Sequence, residues 1–365
     1  MLELWDADDP FGRLDRYLRA QGFFDADHTP TDDRVADVYL GYGLSRTLRR
    51  SYWPDPPEPA RLPLLACSVR GMGSVGARSA MASFRVGPWA QTWTPQDHAR
   101  AVRGARDAIA AGEVYQVNLV QHLRAPFEGD PRGVAHALGV LRPRHGRLLS
   151  GDSWDIVSAS PELFLSRRGD TLTTMPIKGT RPRGGGEELR RSVKDAAEHV
   201  MIVDLERNDL GRVSEPGSVA WPELMMPRSM AGVEHLVSSV TGRIRSGLGL
   251  PELLGAMFPG GSVTGAPKIA AIDQIARLEP VGRGASMGAL GVIQANGDFD
   301  LALTIRTFAM VDGVIHLWVG GGIVWDSDPD AEVEESWVKA RPLLAALDAG
   351  MADTRNAARP AAVVA

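Results

Sequence analysis

Lys178 stands in the stretch PIKGTRPRG, residues 176–184, where proline fixes the backbone before the amine and glycine frees it afterwards. A lysine that only solubilises a surface needs no such setting. An amine that must lose its proton to act as a nucleophile does, and burial beside Arg181 or Arg183 favours the neutral form. An acid faces it. The stretches WDIVSAS (154–160), ELFLSR (162–167) and TLTTMPIK (171–178) read as three strands, with a hairpin at Gly169-Asp170 joining the last two. Positions paired across that hairpin sum to about 339, which sets Glu162 at the level of Lys178, within one residue of directly opposite. On the hairpin alone, a surface ion pair of little energetic consequence and a catalytic acid–amine pair stand even. A one-residue slip would send the two side chains to opposite faces.

Further carboxylates fall on predicted helices. Residues 187–210 repeat apolar positions at Leu189, Val193, Ala197, Val200 and Val203, and Glu198 lies mid-helix in that apolar stretch. SDPDAEVEESWVKA opens with Asp328 and Pro329 as cap and first turn, and i, i+3, i+7 spacing puts Glu332, Glu335 and Lys339 on one face. Acids in a first turn also offset the helix dipole. A few carboxylates with water and a substrate oxygen is the usual way Mg²⁺ is held. His235 begins the strand alternation His235, Val237, Ser239, Thr241, a setting in which histidine is more often structural than catalytic. Arg306, in LALTIRTF, is a cation inside an apolar strand and requires an anion or carboxylate partner.

Two glycine-rich stretches complete the inventory. GMGSVG (71–76) matches a dinucleotide fingerprint only in letters. The ARSAMASFRVGPW stretch after it reads as a strand and no acid lies about 20 positions on, so a hairpin turn is expected. GGSVTGAPK (260–268) is not a phosphate loop, because Pro267 precedes the lysine and no Ser or Thr comes after it. It feeds a helix, and its N–H groups could bind an anion such as a carboxylate.

The elements that position these groups alternate without a strict βαβ rhythm, which predicts α+β architecture. Helices are expected over 95–112, 187–210, 267–278 and 329–347, with strands at 287–294, 300–309 and 314–324. The chain of 365 residues suits one large or two ordinary domains. Its 44% hydrophobic and 23% charged residues are those of a soluble globular protein. A net charge of −5 makes nucleic acid and anionic membranes unexpected partners, so local cations or a metal must hold any anionic substrate. One cysteine, Cys67, excludes an internal disulfide framework and suits a reducing cytoplasm. No basic-then-apolar leader opens the sequence, and no apolar run approaches the ~20 residues of a membrane helix.

Together these segments resemble the chorismate-utilising enzymes, which include anthranilate, aminodeoxychorismate, isochorismate and salicylate synthases. The resemblance runs from about residue 95 to 345, through GEVYQVNLVQ, SASPELFL, PIKGTRPRG, AEHVMIVDLERNDLGRV, HLVSSVTG, GGSVTGAPK, IRTF and GGGIVWDSDPDAEVEESWVKA. It implies the anthranilate synthase component I-like fold: α+β, two packed antiparallel sheets flanked by helices. Residues 1–92 would be a shortened N-terminal region contributing strands, 93–348 the chorismate-binding catalytic domain and 349–365 a disordered tail. The resemblance implies Glu198 and Glu335 as Mg²⁺ ligands with Glu332 close by. It assigns the substrate carboxylates to Arg306, Lys339 and the Gly321-Gly322 backbone, lines the pocket with Thr264 and Gly265, and makes His235 an active-site histidine. Gln116 occupies the position of the water-activating lysine of isochorismate and salicylate synthases, which disfavours water addition. Anthranilate synthases carry PIAGT where this chain has PIKGT, the form of the aminodeoxychorismate synthases. There the lysine attacks C2 of chorismate while the carboxyl matching Glu162 protonates the departing C4 hydroxyl. Ammonia then attacks C4, giving 4-amino-4-deoxychorismate. Alternatives are 2-amination, as in anthranilate synthase, and a non-catalytic anion-binding subunit. Ser286 and Val292 depart from an aromatic family pattern, and Trp325 replaces a usually small residue. With no glutaminase nucleophile in the sequence, ammonia would come from solution or a separate glutamine amidotransferase subunit.

Overall fold

The computed structural model describes residues 1–24, 33–71, 82–182, 184–230 and 233–357. Beyond Gly71, the GMGSVG stretch lies outside the described residues, and so does Arg183.

The chain begins with β1 (Leu2–Leu4), α1 (Pro10–Ala20), β2 (Arg34–Leu40) and β3 (Leu65–Gly71). After β4 (Phe84–Val86) and β5 (Ala90–Gln91), α2 (Pro95–Ala110) starts where the Thr94 side chain accepts from Asp97 N and Pro95 needs no partner for a missing N–H. Then come β6 (Gln116–Gly129), α3 (Pro131–Leu138), β7 (His145–Ser150), β8 (Trp154–Ser160), β9 (Leu163–Arg168), β10 (Thr171–Met175) and β11 (Ile177–Pro182). The middle of the chain supplies α4 (Gly186–Arg191), α5 (Val193–Gly211), β12 (Ala220–Met230), β13 (Val233–Arg243), α6 (Leu250–Met257), β14 (Gly265–Ala266) and α7 (Lys268–Leu278). It closes with β15 (Ala289–Gln294), β16 (Phe299–Leu303), β17 (Thr307–Val311), β18 (Val314–Ile323) and α8 (Pro329–Ala357). The last helix continues past 348, so residues 349–357 are helical where a tail is expected.

Two antiparallel sheets form the α+β fold. One runs β1-β3-β2-β15-β16-β9-β10-β13-β11, with β12 added to β13; the other runs β14-β6-β18-β17-β8-β7, with β4 and β5 on β6. Apolar residues from both sheets, among them Val38, Leu65, Leu119, Ile156, Phe164 and Leu301, share one core. A second cluster packs Leu123, Phe308 and Leu317 under Val134 of α3 and Leu343 and Leu347 of α8. Covered on both faces, β6 is buried at every position from 116 to 123.

Two strands break where the sequence suggests continuity, and both breaks fall at candidate site residues. The β9–β10 hairpin has the expected register through Thr171↔Arg168 and Thr173↔Ser166, then shifts at a bulge to Met175↔Leu163. Pro176 has no N–H for the ladder, so Lys178 belongs to β11, paired with Leu236 of β13 rather than with β9. The 300–309 stretch splits likewise: β16 lies in the first sheet and β17 in the second, and Arg306 sits at the crossing with a left-handed φ of 52°. Arg306 is therefore not inside an apolar strand, as expected, but at the corner where the chain changes sheets. The 187–210 helix is also broken, at Ser192 between α4 and α5. Its buried face is His199, Ile202, Val203, Glu206, Asp209 and Leu210, while Val200 is exposed.

The second sheet carries a buried histidine pair. His122 Nε2 lies 3.0 Å from His316 Nδ1, and the far side of His122 meets the Thr92 hydroxyl at 2.7 Å. Burial drives His122 down to about 3 and His316 to about 4. Both pKa values are lowered by folding, so the stability they contribute is complete above the unfolded value near 6.5 and is lost as pH falls towards 4. His98, His145 and His199 are lowered by burial too and act in the same direction. Buried carboxyls whose pKa is raised, Glu206 and Glu279 among them, act in the opposite direction, so the test is a comparison. From pH 7 to 5 the wild type should lose ~2 kcal/mol more stability than a His122→Gln variant, the amount one such histidine supplies over that range. Equal losses in the two proteins would contradict a neutral buried His122.

Among the described residues no helix is long and apolar enough to cross a membrane.

Candidate active site

The candidate residues gather at the seam between the sheets. Glu162 occupies the turn from β8 to β9; it is 4% exposed, and its Oε1 accepts from Ile177 N at 3.4 Å. Lys178 Nζ donates to the Ser262 carbonyl at 3.5 Å, and the Ser262 side chain lies close enough to the Glu162 carboxyl to pull its pKa down against burial. The amine and the acid thus share the Gly260–Thr264 turn as a common support, although the hairpin register itself does not pair them. Burial raises the Glu162 pKa against the opposing pull of Lys178, and burial lowers the Lys178 pKa against the pull of Glu162. A neutral pair and an ion pair hold the same number of protons, so exclusion of water, not pH, selects between them. The cation that further depresses Lys178 is Lys339. Arg181, expected in that role, forms an ion pair with Glu188 at 2.8 Å.

His235 of β13 is 2% exposed and donates through Nδ1 to the Gly179 carbonyl at 2.8 Å, which leaves Nε2 as the basic nitrogen. Burial lowers its pKa, and the charges of Arg306 and Lys339 lower it further. Arg306 and Glu162 also feel each other electrostatically, so the sheet-crossing corner faces the same space.

The opposite wall comes from β18 and α8. A side chain on Gly321 would meet Glu335 Oε1 at 3.2 Å, Lys339 Nζ at 3.3 Å and Glu332 Oε2 at 3.4 Å. The three charged groups expected on one helix face therefore converge on a strand that is glycine at 320–322. Lys339 donates to the Gly320 carbonyl at 2.7 Å and pairs with Glu335 at 2.7 Å. Gly322 faces Gln116, whose Nε2 lies 2.5 Å from where a Cβ would be. The Gln116 side chain is 1% exposed, and neither of its amide atoms has a hydrogen-bond partner among the described residues. A buried amide so placed is poised for a ligand.

Gly265 has φ +139°, and a Cβ there would fall 2.1 Å from the Gln116 carbonyl oxygen, so only glycine fits. The Thr264 hydroxyl donates to its own loop at Gly260 O, 2.9 Å, instead of facing outward. Glu198, partly buried on α5, raises the Lys178 pKa through its charge, which sets it on the lysine's side of the site.

For a divalent cation the fit is that of a site completed by substrate. No three His, Cys, Asp or Glu side chains among the described residues form a ready-made cluster. Glu332 and Glu335 nevertheless bring two hard oxygen donors to Gly321, and the charges of Glu198 and Glu335 both reach Lys178. Mg²⁺ commonly takes one or two carboxylates and fills its octahedron with water and substrate oxygens, so the donor set suits it.

Three features escaped the sequence reading. Ser262, in the glycine-rich loop read for its N–H groups, was not singled out, and its carbonyl accepts from Lys178. His199, whose Nε2 lies 2.6 Å from the Ser238 hydroxyl, is buried within reach of the Lys178 charge. Glu206 and Asp209 lie on the buried face of α5, where an apolar period is blind to them. A cavity of ≈ 900 Å³, lined by Tyr115, Asp204, Arg207, Asn208 and Arg212 among others, holds neither Lys178 nor Glu162. The chemistry of the seam outweighs that volume.

The fold is that of the chorismate binding enzyme family, whose model matches residues 68–345; the chain belongs to that family. Two curated groups of relatives match about equally. Anthranilate synthase component 1 of Streptomyces coelicolor is 39% identical over 326 residues, covering 87% of this chain and 60% of that protein. Aminodeoxychorismate synthase component 1 of Escherichia coli is 38% identical over 269 residues, covering 71% of this chain and 59% of that protein. The chain thus spans about 60% of the length of the curated relatives it matches. The crystal structure of anthranilate synthase component I from Streptococcus pneumoniae superposes with a TM-score of 0.79 at 26% identity, covering 90% of this chain and 85% of that one.

Proposed function

We propose that the protein aminates chorismate at C4 with ammonia, giving 4-amino-4-deoxychorismate through a covalent adduct on Lys178. The observation that carries this reading is a buried, neutral-leaning amine and a buried carboxyl held by one turn, Ser262 touching both. The Lys178 nitrogen forms a bond to C2, the ring electrons shift, and the C4 hydroxyl leaves as water with the proton of Glu162. Ammonia then bonds to C4, the electrons shift back and the C2–N bond breaks, returning the lysine. The Glu162 carboxylate, close to Ile177 N and Ser262, takes up the proton the incoming nitrogen sheds.

Chorismate is a dianion. Arg306, Lys339 and the Gly321-Gly322 backbone are the groups that would hold its carboxylates, and the Gln116 amide would bond a neighbouring substrate oxygen. Glu198 and Glu335, with Glu332 beside them, would hold Mg²⁺, which when bound withdraws charge from the ring carboxylate. His235, fixed through Gly179, would present Nε2 to the ring. Thr264 and Gly265 shape the floor of the pocket through their backbone.

A second reading, 2-amination, has equal support from the anthranilate synthase relatives. Lys178, where the resemblance gives alanine to anthranilate synthases, is what favours C4. The purified chain with chorismate, Mg²⁺ and ammonium should yield a non-aromatic amine of the 4-amino mass. Fluorescent anthranilate as the product would replace the first reading by the second. We propose further that this chain acts in the cytoplasm with a separate glutamine amidotransferase. On its own it should use ammonium and not glutamine, and glutamine turnover by the purified chain would contradict that partner.

A further inference from the structure

A buried acid cluster lies directly behind the turn that supports Lys178 and Glu162. Glu206, 3% exposed, accepts the Gly261 N–H on Oε1 at 3.1 Å, and its Oε2 is buried with no hydrogen-bond partner among the described residues. Asp209, one helical turn on, pairs with Lys268 Nζ at 2.5 Å, and Lys268 also donates to Met257 O at 2.9 Å. One lysine thus faces two carboxyl groups, Glu206 in the interior and Asp209 beside a cavity that both Asp209 and Lys268 line. Glu206 sits at the heart of this cluster, and the charges it meets are Asp209, Lys268 and, across the turn, Glu162.

We infer that Glu206 is a positioning residue for the Lys178–Glu162 pair: its carboxyl fixes the Gly260–Thr264 turn through the Gly261 N–H, and the turn presents Ser262 to both. The turn has other anchors on its far part, where Arg283 Nη1 donates to the Val263 carbonyl at 2.8 Å, but its Gly261 N–H is held by Glu206. The Thr264 hydroxyl closes the turn on itself at Gly260, and Asn118 N bonds only the Thr264 carbonyl. A side chain on Gly261 would meet Leu205 Cδ2 at 2.5 Å and Glu206 Oε1 at 3.1 Å, so the turn lies directly against α5. Burial and the adjacent Asp209 raise the Glu206 pKa, which favours a neutral carboxyl that accepts from Gly261 on one oxygen. Besides the charge of Glu198, the α5 helix therefore reaches the reacting groups through the backbone hydrogen bond from Gly261 to Glu206.

The inference rests on the roles proposed above for Lys178 and Glu162. Two variants test it. Glu206→Gln keeps an acceptor for Gly261 and resembles the neutral acid, while Glu206→Met keeps the length and removes the acceptor. Hydrogen exchange of the 260–264 amides, that of Gly261 above all, should be about tenfold or more faster in the Met variant, the scale of one lost buried hydrogen bond, and near wild type in the Gln variant. Turnover of chorismate with Mg²⁺ and ammonium should lose about 10- to 100-fold in kcat for Met, with KM within about twofold, and recover in Gln, because small displacements of reacting groups cost that much. Unchanged exchange in the Met variant would overturn the inference, as would a Gln variant equally impaired. A Met variant that loses its cooperative melt while Gln keeps it would assign the contact to folding and also overturn it. If the wild type does not turn chorismate over, the amination reading falls, and the exchange result alone decides the role of Glu206.

Discussion

Lys178→Ala is expected to lower formation of 4-amino-4-deoxychorismate by at least about 10³-fold, because loss of a covalent nucleophile is among the costliest single changes an enzyme can suffer. The pocket should survive the change. Lys178 gives one long hydrogen bond to Ser262, and its removal takes away the larger of the two cationic pulls on the buried Glu162, leaving that of Arg306. Burial then raises the Glu162 pKa with less opposition, in the direction an acid requires. With no amine at C2, ammonia can reach that carbon itself, so residual product should shift towards the 2-amino isomer. Product analysis by mass and fluorescence separates the two. A variant that makes the 4-amino product at the wild-type rate would remove Lys178 from the chemistry.

The second large effect is expected at Glu335. Glu335→Gln preserves size, deletes one of the charges converging on Gly321 and removes the partner of Lys339. Activity at limiting Mg²⁺ should fall by more than the roughly 10- to 100-fold that loss of even an outer-shell partner costs a metal site, and should recover partly as Mg²⁺ is raised. Glu198→Gln should behave in the same way. Glu334→Gln is the control: Glu334 neighbours Glu335 in sequence, but its partner is Arg341 and both side chains are 58% exposed. Its loss should leave the Mg²⁺ dependence unchanged. Identical Mg²⁺ titrations for wild type, Glu198→Gln and Glu335→Gln would rule out these carboxylates as ligands.

Much of the fold was legible where local chemistry and tertiary context agree. Thr94 and Pro95 start a helix in any setting, and Gly169-Asp170 closes a hairpin whose first pairs have the expected register. The sequence was harder to read where strands end for reasons of topology. Nothing in LALTIRTF announces that the chain changes sheets at Arg306, and only the positive φ there reveals the corner. Pro176 does signal a break, yet the apolar letters around it read through. Strand β12 escaped notice because Pro222 and Pro227 argue against a strand. It is tolerated because β12 pairs on one side only, with β13. The i, i+3, i+7 charged residues of α8, two acids and a lysine, were readable as a face, but their convergence on Gly321 depends on a strand fixed by long-range pairing to β6. The buried acids of α5 were invisible for the opposite reason: an apolar period cannot register a face made of His199, Glu206 and Asp209. The roles of the site residues came from resemblance to a family, and the distances now supply the physical reason why those residues can act together.

Intact-mass analysis tests the central claim most directly. Wild-type protein with chorismate and Mg²⁺ but no ammonia should accumulate a species heavier by chorismate less one water, bound at Lys178 and discharged by added ammonium. The Lys178→Ala variant should show none. A wild type that makes the 4-amino product in ammonium, yet never carries that mass and gives no labelled Lys178 peptide, would contradict covalent catalysis by this lysine.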